Sequence, residues 1–160
     1  MTNFRRLKDK EVKALLREFD DRYPKAPKME SAKVFDEVSV GEGAVYFVDG
    51  SALILRTRFG LLPSLKFQDI LNSLPRVIVD MGAVAHVVNG ADLMRPGIRS
   101  LQDFAKGDLL LIVDEKYGKP IALGVADFDS ATMGAMVKGK IIVNVHYVGD
   151  ELWKSFSKPG

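Results

Sequence analysis

The chain has 160 residues, of which 47% are hydrophobic and 28% are charged, with a formal net charge of +2. This balance excludes a disordered or fibrous protein, and the length suits one ordinary domain or two small ones, of which we predict two. Cysteine is absent, which excludes disulfides, thiolate nucleophiles and thiolate metal sites and is typical of a reducing compartment.

The N-terminal segment is basic and leads into an amphipathic helix. Residues 1–13 are polar and basic, and no apolar run in the chain approaches the ~18 residues that span a membrane. We therefore expect a cytoplasmic protein without a membrane partner. Apolar residues recur at i, i+3, i+4 and i+7 and predict a helix over residues 8–21. Basic residues outnumber acidic ones within residues 1–28, a pattern that suits RNA phosphates, an acidic protein or plain solvent.

The next segments have the period of strands. Residues 32–35 and 44–48 predict two strands, and residues 52–55 predict a third. Asp49 and Gly50 stand between the last two and are the residue types of a tight hairpin turn. We therefore predict a β-hairpin at this point.

The first domain is predicted to end near a proline. Pro63 favours a loop over residues 60–65, and residues 67–74 have helical spacing up to the next proline. We place an N-terminal α/β domain at residues 1–74 and a second domain at residues 75–160.

The stretch from Arg76 to Arg99 combines a strand, a helix and a turn. Residues 77–79 are a β-branched run, and Asp80 follows them in the position of a helix cap. The predicted helix begins at Gly82 and Ala83, whose small side chains would leave its first N–H groups open to a ligand. Gly90 is placed to end the helix in a left-handed conformation, and a turn follows at Pro96 and Gly97.

The rest of the chain predicts short strands separated by glycine turns. Strands are expected over residues 109–113, 121–128 and 141–146, and Ser130 is predicted to cap a short helix that runs to residue 136. This pattern is typical of a small, partly closed β-barrel. The predicted fold class is α+β, with an N-terminal α/β domain followed by a barrel-like domain with short helices.

Motifs that identify enzymes are missing from the sequence. It contains no GxxxxGK phosphate loop, no GxGxxG after a strand, no GxSxG elbow and no HExxH pair. The two histidines, His86 and His146, are far apart in the chain, so their spacing predicts no histidine metal site. For each histidine we expect the role of a surface or core residue held by one hydrogen bond, in preference to that of a general base.

Other polar residues offer no clear catalytic pattern. A carboxylate site at Asp80, Asp92, Asp127 and Asp129 is one interpretation, but Asp80 and Asp92 suit helix caps or turn closures better, and Asp127 and Asp129 border a loop. The N-terminal domain has no nucleophile and base at a recognisable spacing. Its polar candidates are Asp36, Glu37, Glu42, Tyr46, Asp49, Arg56 and Arg58. We predict no catalytic site, cofactor or metal, and expect Arg56 and Arg58 to contact phosphate or the other domain.

Basic residues flank two glycine turns in the second domain. Arg95 and Arg99 lie on either side of the Pro96–Gly97 turn, and Lys138 and Lys140 lie on either side of Gly139. Such side chains supply salt-sensitive affinity for RNA phosphates. Turn geometry with solvated cations explains the same residues equally well, so spacing alone leaves both interpretations open.

Five sequence blocks in a fixed order resemble the PUA domain, the RNA-binding domain named after pseudouridine synthases and archaeosine transglycosylases. The blocks are residues 79–83, 90–98, 106–108 and 121–126, and finally Lys138–Gly139 with His146 and residues 149–153. They cover about half of the chain. The resemblance implies an RNA-binding domain over the second half.

The first half narrows the resemblance. Residues 48–50, 56–58, Gly60 and 63–65 are similar to the N-terminal domain of the malignant T-cell-amplified sequence proteins, which consist of a pre-PUA domain and a PUA domain. The resemblance implies an archaeal-type member without enzymatic activity that binds tRNA or rRNA and the small ribosomal subunit in translation initiation or recycling. A second protein, the density-regulated protein, completes the factor in eukaryotic members. An alternative role is the delivery of RNA to a tRNA or rRNA modification enzyme.

The resemblance also implies which residues contact RNA. In PUA domains RNA lies against the first helix, the glycine-bearing strand after it and the last strands. The residues that match these positions or flank them are Gly82, Ala83, His86, Arg95, Pro96, Gly97, Arg99, Lys138, Lys140 and His146. On this interpretation, charge reversal at Arg95 and Lys138 weakens RNA binding and leaves the melting temperature nearly unchanged.

Overall fold

The computed structural model describes residues 3–157 of the chain. These residues form two compact units, one made of the residues up to Asn72 together with those after Asp150, the other of Ser73–Asp150. No helix among them is both long enough and apolar enough to cross a membrane. The mixed composition of helices and two sheets confirms the predicted α+β class.

The first unit is built on an antiparallel sheet of five strands that are neighbours in the order of the chain. Helix α1 places Leu15 and Phe19 in the core, and Phe19 stacks on Phe67 with 6.2 Å between ring centroids. The elements of this unit are β1 (Asn3–Arg6), α1 (Asp9–Arg22), β2 (Phe35–Val40), β3 (Gly43–Val48), β4 (Ser51–Thr57), β5 (Gly60–Pro63), α2 (Gln68–Leu71) and, near the end of the chain, α5 (Glu151–Lys154).

The predicted hairpin is confirmed between β3 and β4. Asp49 and Gly50 both have positive φ, +49° and +90°, which is the conformation that a tight two-residue hairpin turn requires. The Asp49 carboxylate also accepts the N–H groups of Lys33 and Val34 at 2.9 and 2.8 Å. It therefore ties the turn to the segment that leads into β2.

Three predictions for the first unit are corrected by the structure. The predicted loop over residues 60–65 is wrong at its start, where β5 pairs with β4 along the edge of the sheet. Pro63 is tolerated because it is the last residue of an edge strand, where a missing N–H costs little. The strand predicted at residues 32–35 begins only at Phe35. Residues 151–157 belong to this unit, whereas the sequence-based division assigned them to the second domain. Within this segment, the centroid of the Trp153 ring lies 4.6 Å from the Lys66 ammonium.

The second unit contains a six-stranded sheet that curls into a half-barrel. The strand order is β7-β11-β10-β9-β6-β8, and only the β6–β9 pair is parallel among the described strands. Its elements are β6 (Arg76–Val79), α3 (Met81–Val87), β7 (Leu93–Met94), a 3₁₀ turn (Arg95–Gly97), β8 (Ile98–Leu101), β9 (Leu109–Asp114), β10 (Pro120–Ala126), α4 (Ser130–Ala135) and β11 (Lys140–Tyr147).

The predicted elements of this unit are found with small shifts. Gly90 ends the α3 segment with φ +92°, as expected. The cap of α4 is Asp129, whose carboxylate accepts the Thr132 N–H at 2.7 Å, so the assignment of Ser130 was wrong by one residue. The Ser130 hydroxyl instead bonds the main chain of Phe104 and joins α4 to the segment before β9. Strand β8 was not predicted.

Candidate RNA interface

A cleft of about 690 Å³ opens in the second unit. Its wall comes from three stretches that are separate in sequence: α3 with the residues around it, the β7 strand with the 3₁₀ turn, and the first residue of β11. Six predicted RNA contacts line it, namely Gly82, Ala83, His86, Pro96, Gly97 and Lys140. The other lining residues are Val79, Asp80, Val87, Ala91, Asp92, Leu93, Met94 and Ile98.

Main-chain hydrogen bonds hold the three stretches together. The Arg95 N–H donates to the Gly139 carbonyl at 2.8 Å, which joins the turn to the start of β11. The Asp80 N–H donates to the Gly97 carbonyl at 2.9 Å, which joins the other end of the same turn to α3. The cleft is therefore a fixed feature of the unit, set by backbone bonds at both ends of the turn.

The helix terminus in the cleft is capped by a side chain. The Asp80 carboxylate accepts the Ala83 N–H at 2.7 Å, so Asp80 is the cap that the sequence predicted. This cap also occupies one of the donors that was expected to be open. A carboxylate at this position also repels an anion, which disfavours the binding of a phosphate at this helix end.

The charges that line the cleft are mixed. The Lys140 ammonium lies 3.5 Å from the Asp127 carboxylate and 3.9 Å from that of Asp92. Asp80 and Asp92 are acidic lining groups, while His86 is exposed on α3. Most of the remaining wall is apolar, and Met94 is exposed by 52% at its rim. Such a surface suits the apolar face and polar edge of an unpaired base better than a bare phosphate.

Arg95 lies between two lining residues, Met94 and Pro96, but its side chain is bonded to the main chain of the same unit. The guanidinium Nε donates to the Met133 carbonyl in α4 at 2.8 Å, and a terminal nitrogen donates to the Ile98 carbonyl at 3.4 Å. The predicted phosphate contact is therefore also a clamp between the turn and α4. Lys138, by contrast, is exposed.

Two further predicted contacts lie outside the cleft lining. Arg99 is on β8, where its guanidinium forms an ion pair with Glu115 at 3.2 Å. His146 is fully buried, and its Nδ1 lies 2.8 Å from the Asp150 carboxylate. The prediction that His146 is on the RNA surface is corrected, because β11 is covered on both faces at this point.

The sequence interpretation missed Asn144, which supports the cleft from behind. Its Nδ2 donates to the carbonyls of Val87 and Ala91, both at 3.0 Å, while its N–H donates to the Asp92 carboxylate at 2.9 Å. Asn144 thus fixes the loop between α3 and β7. An amide inside an otherwise apolar buried strand was the available signal, because such a group is retained only with partners.

The polar candidates of the N-terminal domain form ion pairs and hydrogen bonds of the fold. Both terminal nitrogens of Arg56 donate to Glu18 at 3.1 Å, and its Nε donates to the Tyr46 hydroxyl at 3.1 Å. The bonds to Glu18 raise the pKa of Arg56 further, while burial raises the pKa of Tyr46.

The remaining candidates also have local positions. Arg6 donates to Asp36 at 2.6 Å and Arg5 to Glu37 at 3.2 Å, while Glu42 is exposed and Arg58 lies over the Phe59 ring. Within residues 3–157, no cluster of three or more metal-ligating side chains is suited to hold a metal ion.

Comparison with protein families matches the PUA domain over residues 75–148. An uncharacterized protein of Methanocaldococcus jannaschii is 35% identical over 148 residues, which cover 90% of this chain and 86% of that protein. Translation machinery-associated protein 20 of Saccharomyces cerevisiae is 31% identical over 142 residues, 84% of this chain and 76% of that protein. Malignant T-cell-amplified sequence 2 of Mus musculus is 31% identical over 115 residues, 66% of this chain and 62% of that protein.

The fold has a close match among solved structures. A PUA-domain protein of Aeropyrum pernix, crystallised as a tartrate complex, superposes with a TM-score of 0.82 at 25% identity. The match covers 99% of this chain and 92% of that one. The likeness therefore extends over both units of the present chain.

Proposed function

The chain belongs to the PUA-domain family that includes translation machinery-associated protein 20 and the malignant T-cell-amplified sequence proteins, and from this we propose that it is a non-enzymatic RNA-binding factor of translation. It binds tRNA at or near the acceptor end, or rRNA, through the second unit and acts in the cytoplasm on the small ribosomal subunit. A second translation-factor protein is a further expected partner.

The observation that carries the proposal is the cleft of the second unit. It gathers Gly82, Gly97 and Lys140 from three separate elements of the unit. Its apolar wall and open rim suit unpaired bases, which proteins recognise by stacking and by hydrogen bonds to their edges. Lys138 is exposed at the glycine turn before β11, and it supplies the attraction for RNA phosphates that the interior of the cleft lacks.

A titration of fluorescently labelled tRNA by anisotropy tests this function. We expect binding that weakens with salt, with a slope of about −0.7 to −0.9 per neutralised phosphate in log–log form. We also expect the affinity to fall when the unpaired acceptor end is removed. Equal binding of tRNA and of heparin, a polyanion without bases, contradicts the proposal.

Two lysine variants locate the binding surface. Lys140→Ala removes a cation that lines the cleft, whereas Lys25→Ala removes an exposed lysine of the first unit and serves as the charge-matched control. We expect only the first to weaken tRNA binding. Affinity purification from cells then separates the roles: small ribosomal subunits support a translation factor, and a modification enzyme supports the delivery of RNA to such an enzyme instead.

A further inference from the structure

We propose that the tip of the β9–β10 hairpin, residues 115–119, is a second RNA contact beside the cleft. In this contact Tyr117 stacks on an unpaired base, and Lys116 and Lys119 bind the phosphates next to it. The inference rests on the proposed function, since it extends the RNA surface of the same unit. None of these three residues was among the contacts expected from the PUA resemblance.

Tyr117 is an exposed aromatic residue on a rigid turn. Its side chain is 65% exposed, and the main chain beneath it is fixed by the buried carboxylate of Asp114. This carboxylate accepts the N–H of Tyr117 and, at 3.1 Å, the N–H of Lys119. Gly118 has φ +63° and closes the turn with an N–H bond to the Asp114 carbonyl at 3.1 Å. The turn therefore holds the ring outward. Because the turn is already ordered, binding does not require the loss of conformational entropy that ordering a flexible loop would cost.

The charge that the tip presents to solvent is positive. Glu115 pairs with Arg99, and the Asp114 carboxylate is directed to main-chain N–H groups. Lys116 and Lys119 are exposed, and the Lys116 ammonium lies 5.1 Å from the centroid of the Tyr117 ring. An aromatic ring between cations is the arrangement by which proteins hold single-stranded nucleic acid, with stacking for the base and lysines for the backbone.

The tip is directly connected to the cleft. Val79 lines the cleft and pairs with Asp114 in the parallel β6–β9 ladder. The Glu115 N–H donates to the Val79 carbonyl at 3.0 Å. The hairpin tip thus begins at the residue that adjoins the cleft wall, which places the tip next to the cleft in the same sheet. Arg99, a predicted RNA contact outside the cleft, lies next to the tip, because its guanidinium forms an ion pair with Glu115.

Substitutions at the tip separate stacking from charge. Tyr117→Ala should weaken the binding of an unstructured RNA oligonucleotide or of tRNA by roughly tenfold without changing the salt slope, because it removes stacking alone. Tyr117→Trp should retain the affinity. The double variant Lys116→Gln, Lys119→Gln should reduce the magnitude of the salt slope by the contribution of up to about two neutralised phosphates. Since the Tyr117 ring is mostly exposed, all of these variants should keep the wild-type melting temperature.

A fluorescence measurement reports the stacking itself. Trp153 is the single tryptophan of the chain. Tyr117→Trp in a Trp153→Phe background therefore places the only indole at the tip, and stacking on a base should quench its emission when unstructured RNA is added. Unchanged emission, together with unchanged affinity of Tyr117→Ala in a protein that still binds tRNA, overturns the inference and leaves the proposed function standing. Failure of the wild-type protein to bind any RNA overturns both.

Discussion

Gly97 and Ala83, which both line the cleft of the second unit, lie in close contact with each other. A Cβ atom at position 97 would lie 2.8 Å from the Ala83 Cβ, closer than real side-chain carbons approach. The 3₁₀ turn and helix α3 therefore meet through the two smallest side chains. This contact and the main-chain bonds of the same turn to Asp80 and Gly139 hold the turn against the start of α3.

Gly97→Ala should therefore widen or distort the cleft. We expect the added methyl to push the turn away from α3, with a loss of stability of about 1–3 kcal/mol from overpacking. Affinity for tRNA should fall as well, since the lining residues on the turn move with it. Urea denaturation and anisotropy titration measure the two effects.

A compensating variant tests whether this contact is the cause. Ala83→Gly removes the methyl that the new Cβ would meet, so Gly97→Ala with Ala83→Gly should recover tRNA affinity. Gly134→Ala is the matched control, because a Cβ at Gly134 in α4 meets nothing within 4 Å. The interpretation is wrong if Gly97→Ala and Gly134→Ala have the same effect on binding.

Arg95 and Lys138 should respond differently to substitution, although the sequence assigns them the same role. Arg95→Met removes the donors to the carbonyls of Met133 and Ile98, and we expect a loss of about 1–3 kcal/mol. Lys138→Met changes an exposed residue and should leave the melting temperature within a degree or two while it lowers the salt slope of RNA binding. Calorimetry and salt-dependent anisotropy make the comparison. Equal melting temperatures for the two variants would show that the Arg95 hydrogen bonds do not stabilise the fold and that Arg95 acts only as a surface cation.

The sequence could predict the segments of the cleft because local chemistry determines each of them. Asp80 caps a helix, Gly90 ends it and Pro96 begins a turn, and each effect needs only neighbouring residues. The direction of the Arg95 side chain depends instead on a carbonyl 38 residues away. No local pattern contains that information, so the sequence could not show that the Arg95 side chain bonds to α4.

The burial of His146 was beyond the sequence for a related reason. Polar and apolar residues alternate along a strand only when one face of the strand is exposed to solvent and the other is buried. The centre of β11 is buried on both faces, from Asn144 to His146. Period-two reasoning therefore had no contrast to detect there, and it missed Asn144 as a support of the cleft as well.

Asn144→Ala should loosen the loop between α3 and β7. The substitution leaves the buried carbonyl of Val87 and the partly buried carbonyl of Ala91 without their amide donor, which we expect to cost about 1–3 kcal/mol. Asn72→Ala is a matched control, since Asn72 is exposed and lies in the first unit, outside this loop. Hydrogen exchange should show faster exchange at residues 88–92 in the first variant alone. Uniform destabilisation without this local change would argue against a specific role in shaping the cleft.

Asp114 should make the hairpin tip sensitive to acid. Hydrogen bonds from main-chain N–H groups, that of Tyr117 above all, hold the pKa of this carboxyl below its ordinary value of about 3.8. Because the folded state favours the ionised form, Asp114 contributes stability that is present above the unfolded pKa and is lost as the pH falls through the folded pKa. Asp114→Asn should therefore be less stable than wild type at pH 7, and the gap should narrow below about pH 4.

The same variant links this titration to RNA binding. With fewer bonds to hold the turn, the Tyr117 ring should lose its fixed outward position, so Asp114→Asn should weaken RNA binding at pH 7 in the same direction as Tyr117→Ala. Combining the two substitutions should add little, because residues that act as one unit are not additive. Urea midpoints at several pH values and a double-mutant cycle on RNA affinity measure both effects. Full additivity would show that Asp114 stabilises the hairpin without positioning the ring.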